Sequence, residues 1–246
     1  MKLLIDLGNS RLKWAELRQG ELTGYGSCAH REVSDWTNLF ARHERPETVF
    51  VASVAAEEVL EQLAQQVTGV WGVPVVQLHS ARRCCGVSNS YTDYERLGVD
   101  RWAAMLAAYH RTHAALCVID CGSAVTLDAL DSEGRHLGGY IVPGWRLQQQ
   151  ALLHGAARID EPMGVALGGE WGRNTLECVT HGIAQQLAAL VERSVKQLEQ
   201  QLQRPVSVVM TGGDAGVIMP LLDMALEYEQ HLVLQGLALM VEQGGD

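Results

Sequence analysis

Leu3-Leu4-Ile5-Asp6-Leu7-Gly8-Asn9-Ser10 is an apolar run broken by an acid, a glycine and two small polar residues, and Val118-Ile119-Asp120-Cys121-Gly122-Ser123 repeats the pattern later in the chain. In each copy a second strand-like run follows, Leu12–Leu17 after the first and Ala124–Leu130 after the second. A repeated strand, Asp-x-Gly, small polar residue and strand predicts two lobes that carry one copy each. A glycine after a strand lets backbone N–H groups approach an anion with no Cβ in the way. Asn9 and Ser10 add side-chain donors, and Asp6 can hold a cation or its water. One copy alone reads more simply as a hairpin turn that uses Asp and Gly for backbone reasons. Two copies facing each other would clamp a polyphosphate, and phosphoryl transfer depends on positioning and neutralising charge.

Outward from these hairpins the chain alternates. Glu21–Cys28 completes an opening meander. Helical composition at Val33–His43 and Ala55–Val67 then alternates with strand-like Thr48–Ala52 and Val73–Gln77. Arg83–Ser90, rich in Cys, Ser and Asn, reads as a loop, and Gly98–His113 as an alanine-rich helix. Ala114–Ile119 is a buried strand with Asp120-Cys121-Gly122 as a tight turn, and Arg135–Ile141 is a further strand. Arg173–Gln203 is a long helix, Val206–Met210 a strand, Thr211-Gly212-Gly213-Asp214 a turn and Leu232–Gln243 a last helix. The expected fold is α/β, with lobes 1–113 and 114–246 sharing one rigid body and a cleft between them.

Composition narrows the function. The 246 residues carry 19 Lys+Arg against 29 Asp+Glu, a formal net charge of −10. That balance disfavours a broad nucleic-acid surface, which needs clustered cations to displace counterions. No apolar run approaches membrane-spanning length, and the first residues, reaching Asp6, Arg11 and Lys13 so soon, do not resemble an export signal. The six cysteines contain no CxxC pair, and adjacent Cys84 and Cys85 are poorly disposed for an ordinary disulfide. A reduced, cytoplasmic protein without membrane or nucleic-acid partners is expected.

Two other places bear on chemistry. Lys13 lies seven residues beyond Asp6, and simple alternation puts it on the opposite strand face, so it reads either as a phosphate contact or as a solvated lysine. Gly98-Val99-Asp100-Arg101 opens the alanine-rich helix. Asp100 there is either an N-cap or a carboxylate placed to accept an alcohol's proton, and Arg101 either a solvated residue or a fork for a substrate anion. His110 and His113 have helical spacing for a metal but no evident third ligand. Cys121 reads as a small residue filling the turn.

In order along the chain, DLGNSRLK at Asp6–Lys13, GVDR at Gly98–Arg101 and DCGSAVT at Asp120–Thr126 closely resemble the first phosphate, substrate and second phosphate motifs of type III pantothenate kinases. That family belongs to the acetate and sugar kinase, heat-shock ATPase and actin superfamily. Gly138–Gly144, Gly172-Arg173-Asn174-Thr175 and Thr211–Asp214 extend the match. The resemblance implies duplicated actin-like (ribonuclease H-like) lobes with the active site between them, and ATP-dependent phosphorylation of the primary hydroxyl of pantothenate, the entry step of coenzyme A synthesis. It implies phosphate and magnesium contacts from Asp6, Leu7, Gly8, Asn9, Ser10, Arg11, Leu12, Lys13 and Ser123, with Asp100 as base. Tyr91, Gly98, Val99, Asp100 and Arg101 would form the pantothenate site, and Asp120 would bind a monovalent cation, potassium or ammonium. Thr175 would reach the substrate site of the partner in a homodimer.

Ser10 and Ser123 stand where the family usually has threonine; both keep the hydroxyl and lose the methyl. Two rival functions follow from the same motifs. One is a kinase of the superfamily acting on another small alcohol, since the hairpins report the nucleotide and not its acceptor. The other is a nucleotide-binding accessory protein in transcriptional control, a role in which some relatives were first described.

Overall fold

A computed structural model describes residues 1–29, 36, 40, 43–155 and 171–243, and the chain separates into two compact units. The first comprises Met1–His113, Gly134–His136 and His231–Asp246, and the second Ala114–Glu133 and Leu137–Gln230. The residues after 230 thus rejoin the first unit, which local sequence patterns give no means of foreseeing.

The first unit is built on a five-stranded sheet: β1 (Lys2–Leu7), β2 (Arg11–Arg18), β3 (Glu21–Ala29), β4 (Thr48–Ser53) and β5 (Val75–Gln77), in the order β3-β2-β1-β4-β5. β1, β2 and β3 form the antiparallel meander, and β4 and β5 add in parallel. Central β1 is buried from Leu3 to Leu7, as expected of a strand covered on both faces. Its core includes Leu3, Ile5, Leu7, Leu12, Val49 and Val51, with Leu63, Val67 and Trp71 of α1 (Glu57–Trp71) and the buried Trp36 and Phe40. The helix expected over Val33–His43 otherwise falls outside the described residues, apart from His43, which lies in a bend. Trp14 lies flat on Gly26 of the neighbouring strand, where any Cβ would overlap its ring.

Where a loop was expected around 83–90, two short strands, β6 (Arg83–Cys84) and β7 (Val87–Ser88), pair instead. The turn between them needs left-handed backbone at Cys85 (φ 49°) and Gly86 (φ 81°). A left-handed cysteine is not announced by turn propensity. All six cysteines are free thiols, and the Cys84 and Cys85 sulfurs lie 3.3 Å apart. α2 (Val99–Thr112) follows, one residue inside the expected bounds at either end, and buries ten of its residues from Val99 to Tyr109. It packs on the apolar α6 (Leu232–Gln243), whose Gly236 meets the Ala103 carbonyl so closely that a Cβ would overlap it.

The second unit repeats the plan. Its strands are β8 (Leu116–Cys121), β9 (Ala124–Leu130), β10 (His136–Pro143), β11 (Ser207–Thr211) and β12 (Glu227–Tyr228), in the order β10-β9-β8-β11-β12. In both sheets the first strand is central, flanked by the second through an antiparallel hairpin and by the fourth in parallel. This matching order is the duplication carried into three dimensions. α3 (Trp145–Gly155), which periodicity did not single out, and α4 (Thr175–Leu202) pack with the sheet through Trp145, Ile183, Leu187, Val191, Val195 and Leu198. A short α5 (Ala215–Ile218) follows the Gly-Gly turn. Among the described residues no helix is long and apolar enough to cross a membrane.

Candidate active site

The first Asp-x-Gly hairpin joins β1 to β2, with Leu7 paired to Leu12 and Asp6 to Lys13. Gly8, Asn9, Ser10 and Arg11 therefore span the turn, tied by the Gly8 N–H donating to the Arg11 carbonyl at 3.0 Å. Leu7 and Leu12 are buried and anchor it, while Asn9, Ser10 and Arg11 are exposed. The Arg11 guanidinium donates to Ser27 Oγ at 2.9 Å on β3.

Lys13 does not face away from Asp6. Directly opposed residues of an antiparallel pair project to the same face, so counting alternation through the turn gave the wrong side. Lys13 Nζ lies 3.8 Å from Asp6 Oδ2, with the lysine about a third exposed and the carboxylate nearly buried. An exposed anion at this turn meets a cation already oriented by Asp6.

The second hairpin closes more tightly. Cys121 pairs with Val125 and Asp120 with Thr126, leaving Gly122, Ser123 and Ala124 in the turn. Asp120 and Cys121 are strand residues, so the turn starts two residues later than expected. The Gly122 N–H donates to the Ala124 carbonyl at 3.0 Å, and the Gly144 N–H to the Ser123 carbonyl at 2.9 Å. Gly144 fits here because it has no side chain: a Cβ would overlap the Gly122 carbonyl and press on Ser123. Gly212 (φ 99°) packs in the same way on the Cys121 carbonyl and the Asp120 carboxylate. The Asp214 N–H donates to the Cys121 carbonyl at 2.9 Å, and the Asp214 carboxylate accepts from Arg146 Nε at 2.8 Å. Burial, joined by the charges of Asp120 and Asp214, pushes the Cys121 thiol well above the ordinary thiol range. Burial also raises Cys117, to about 12, so neither thiol is poised as a nucleophile.

The third site is the start of α2. Gly98 is the N-cap residue and offers no side chain, so Asp100 is not the cap that one reading allowed. It lies in the first turn, where its Oδ1 accepts from the Arg101 N–H at 2.8 Å and occupies the space a Cβ on Gly98 would need. Arg101 is 7% exposed, unusual for a guanidinium, and its Nη1 donates to the Tyr91 hydroxyl at 3.0 Å. Tyr91 is held in turn, its N–H donating to Asn89 Oδ1 at 2.9 Å and its carbonyl accepting from Arg82 at 3.3 Å. A carboxylate, a guanidinium and a phenol thus meet at a helix N-terminus, whose dipole favours an anion.

Gly172-Arg173-Asn174-Thr175 is a helix start. Asn174 caps α4 by accepting from the Glu177 N–H at 2.9 Å, and the Glu177 carboxylate accepts from the Arg173 N–H at 2.7 Å, an exchange that places Thr175 at the first helical position. His110 and His113 lie with ring centroids 5.9 Å apart; among the described residues no group of three His, Cys, Asp or Glu side chains is arranged to hold a metal ion. Sequence reading missed Arg146 and the steric demand at Gly144 and Gly212. An arginine in an unrecognised helix carries no local signal, whereas the two glycines stood in motifs already singled out.

Comparison with known proteins supplies what geometry alone does not. The family model for type III pantothenate kinase matches residues 2–197. A type III pantothenate kinase of Alcanivorax borkumensis is 37% identical over 240 residues, which cover 96% of this chain and 97% of that one. Among solved structures, a Campylobacter jejuni protein described as a Baf family transcriptional activator aligns with a TM-score of 0.60, 21% identity and 98% of both chains covered. A ROK family glucokinase from Streptomyces griseus, solved with glucose and AMPPNP, aligns with a TM-score of 0.50 and 14% identity, again over 98% of both chains. At these identities the structural likenesses speak to the fold, which is that of duplicated actin-like units.

Proposed function

This chain belongs to the type III pantothenate kinase family, and we propose that it uses ATP to phosphorylate the primary hydroxyl of pantothenate, the first step of coenzyme A synthesis. The observation that carries the reading is the meeting of Asp100, buried Arg101 and Tyr91 at the start of α2. An alcohol seated there has a carboxylate to take its proton, and its own carboxylate or polar oxygens have a guanidinium whose fork suits them.

In the proposed reaction the hydroxyl oxygen of pantothenate forms a bond to the γ-phosphorus while the bond from that phosphorus to the bridging oxygen breaks. ADP leaves, and the hydroxyl proton passes to Asp100. Gly98 leaves room for the Asp100 carboxylate, and Val99 walls the pocket. Lys13, the Gly8–Ser10 turn and Ser123 would hold the phosphates, with Asp6 steering Lys13 and able to offer a carboxylate oxygen to the magnesium that would accompany ATP. A monovalent cation, potassium or ammonium, would be held by Asp120, whose hard carboxylate oxygen lies against Gly212, where a Cβ would fill the space beside it. Bound there, it would supply positive charge beside the phosphates. Thr175, at the exposed start of α4, would complete the substrate site of a second copy in a homodimer. We place this chemistry in the cytoplasm.

The test is ADP release from MgATP with and without pantothenate, in potassium and in a large organic cation. Asp100→Asn should lower pantothenate-dependent turnover about 10²- to 10⁴-fold, the usual contribution of a positioned base, with ATP binding kept. Folded dimer that binds ATP and never turns over pantothenate would overturn the reading.

A further inference from the structure

His136 is 3% exposed although its neighbours Arg135 and Leu137 are not buried. It begins β10, yet with Gly134 and Arg135 it packs in the first unit: the Ser88 N–H donates to the Gly134 carbonyl at 2.9 Å, and Ser88 bridges to Arg135 in parallel. The short β6–β7 ribbon is thus fastened to this tripeptide just before Asn89-Ser90-Tyr91. Gly134 (φ 73°) sits so close to the Gly86 carbonyl and the Tyr109 ring that only glycine fits. The fastening is therefore specific to this backbone path.

His136 continues the contact through side chains. Its Nδ1 lies 3.1 Å from Ser90 Oγ, and its ring stacks on that of Tyr91 with centroids 6.0 Å apart and planes inclined by 20°. Tyr91 then accepts from Arg101 at 3.0 Å. A polar ring is costly to bury unless its position is used or satisfied. Here the Ser90 bond and the Tyr91 stack both fall on the residues that lead to the buried guanidinium.

We propose that His136, acting with Ser90, is a positioning residue for pantothenate: it fixes the plane of the Tyr91 ring and, through the Tyr91 hydroxyl, the orientation of the Arg101 fork. The inference rests on the reading of Tyr91 and Arg101 as substrate contacts. It predicts specificity as well as placement, because a tilted fork pairs poorly with a planar carboxylate while the residues proposed to hold the nucleotide are untouched.

The experiment is steady-state kinetics of the full chain with His136→Ala, His136→Phe, Tyr91→Phe and the double variant His136→Ala/Tyr91→Phe, with KM measured separately for pantothenate and ATP. His136→Ala should raise KM for pantothenate about tenfold and leave KM for ATP unchanged, and the double variant should be no worse than the worse single, since both act through one hydroxyl. His136→Phe, which keeps a ring but loses the Ser90 bond, should fall between His136→Ala and the unsubstituted chain; should His136→Ala fail to fold, His136→Phe with Tyr91→Phe runs the same cycle. Additive effects, or equal rises in both KM values, would overturn the positioning role. An unchanged pantothenate KM in Tyr91→Phe would overturn the site assignment and this inference with it, whereas a response to Tyr91→Phe alone would sink only the role of His136.

Discussion

The two Asp-x-Gly hairpins share a sequence pattern and a place in their sheets but differ in what surrounds the acid. Asp6 faces Lys13 in a turn of four residues, exposed at its tip. Asp120 faces neutral Thr126 behind a turn of three, pressed by Gly144 and Gly212, with the Asp214–Arg146 pair beside it. A duplicated motif has thus diverged in electrostatics. The first acid has a lysine opposite it; the second has a neutral threonine opposite it, and Asp214, which bonds the Cys121 carbonyl through its N–H, is paired with Arg146. One residue of turn length and one cross-strand partner account for much of the divergence.

The largest expected effect tests the steric half of this contrast. Gly144→Ala drives a Cβ into the Gly122 carbonyl and should cost about 3 kcal/mol in urea unfolding, where Gly8→Ala, whose Cβ would stand 3.3 Å from the Arg11 carbonyl, should cost under about 1 kcal/mol. Equal losses would mean that the two turns are packed alike. The electrostatic half is tested by making the second hairpin resemble the first. Thr126→Lys sets an ammonium opposite Asp120, and should cut the ratio of turnover with potassium to turnover without it by roughly tenfold. A ratio unchanged in a folded, active variant would remove Asp120 from the proposed cation site.

The smallest effect concerns the residue after each acid, Leu7 in one hairpin and Cys121 in the other. Burial and the flanking carboxylates raise the Cys121 pKa, so its thiolate fraction at pH 8 is below that of an ordinary thiol. Iodoacetamide at pH 8 should label exposed Cys178 and leave Cys121 unmodified by mass spectrometry, with Cys121 reacting only as pH climbs well above the ordinary thiol range. Labelling of Cys121 at pH 8 would show that the second turn opens, contrary to its tighter packing.

Much of this was legible in the chain. The meander, the helix from Gly98 to His113, the long helix capped at Asn174 and both hairpins follow from periodicity and turn chemistry within short windows. The β6–β7 ribbon was not, because it depends on a left-handed cysteine, and α3 was not singled out. At the site, the motifs announced which residues matter but not their geometry. Asp100 looked equally like a cap until Gly98 was seen to hold that position.

By itself the sequence determined the duplicated hairpins, the glycines and acids that make them, and the order of the three motifs, because each is written in contiguous residues whose conformational preferences act locally. Only the tertiary structure decided that Lys13 turns toward Asp6, that Gly144 and Gly212 brace the second turn, and that His136 meets Ser90 and Tyr91. Those neighbours are fixed by strand register, turn length and close packing between distant segments, which no window of sequence contains.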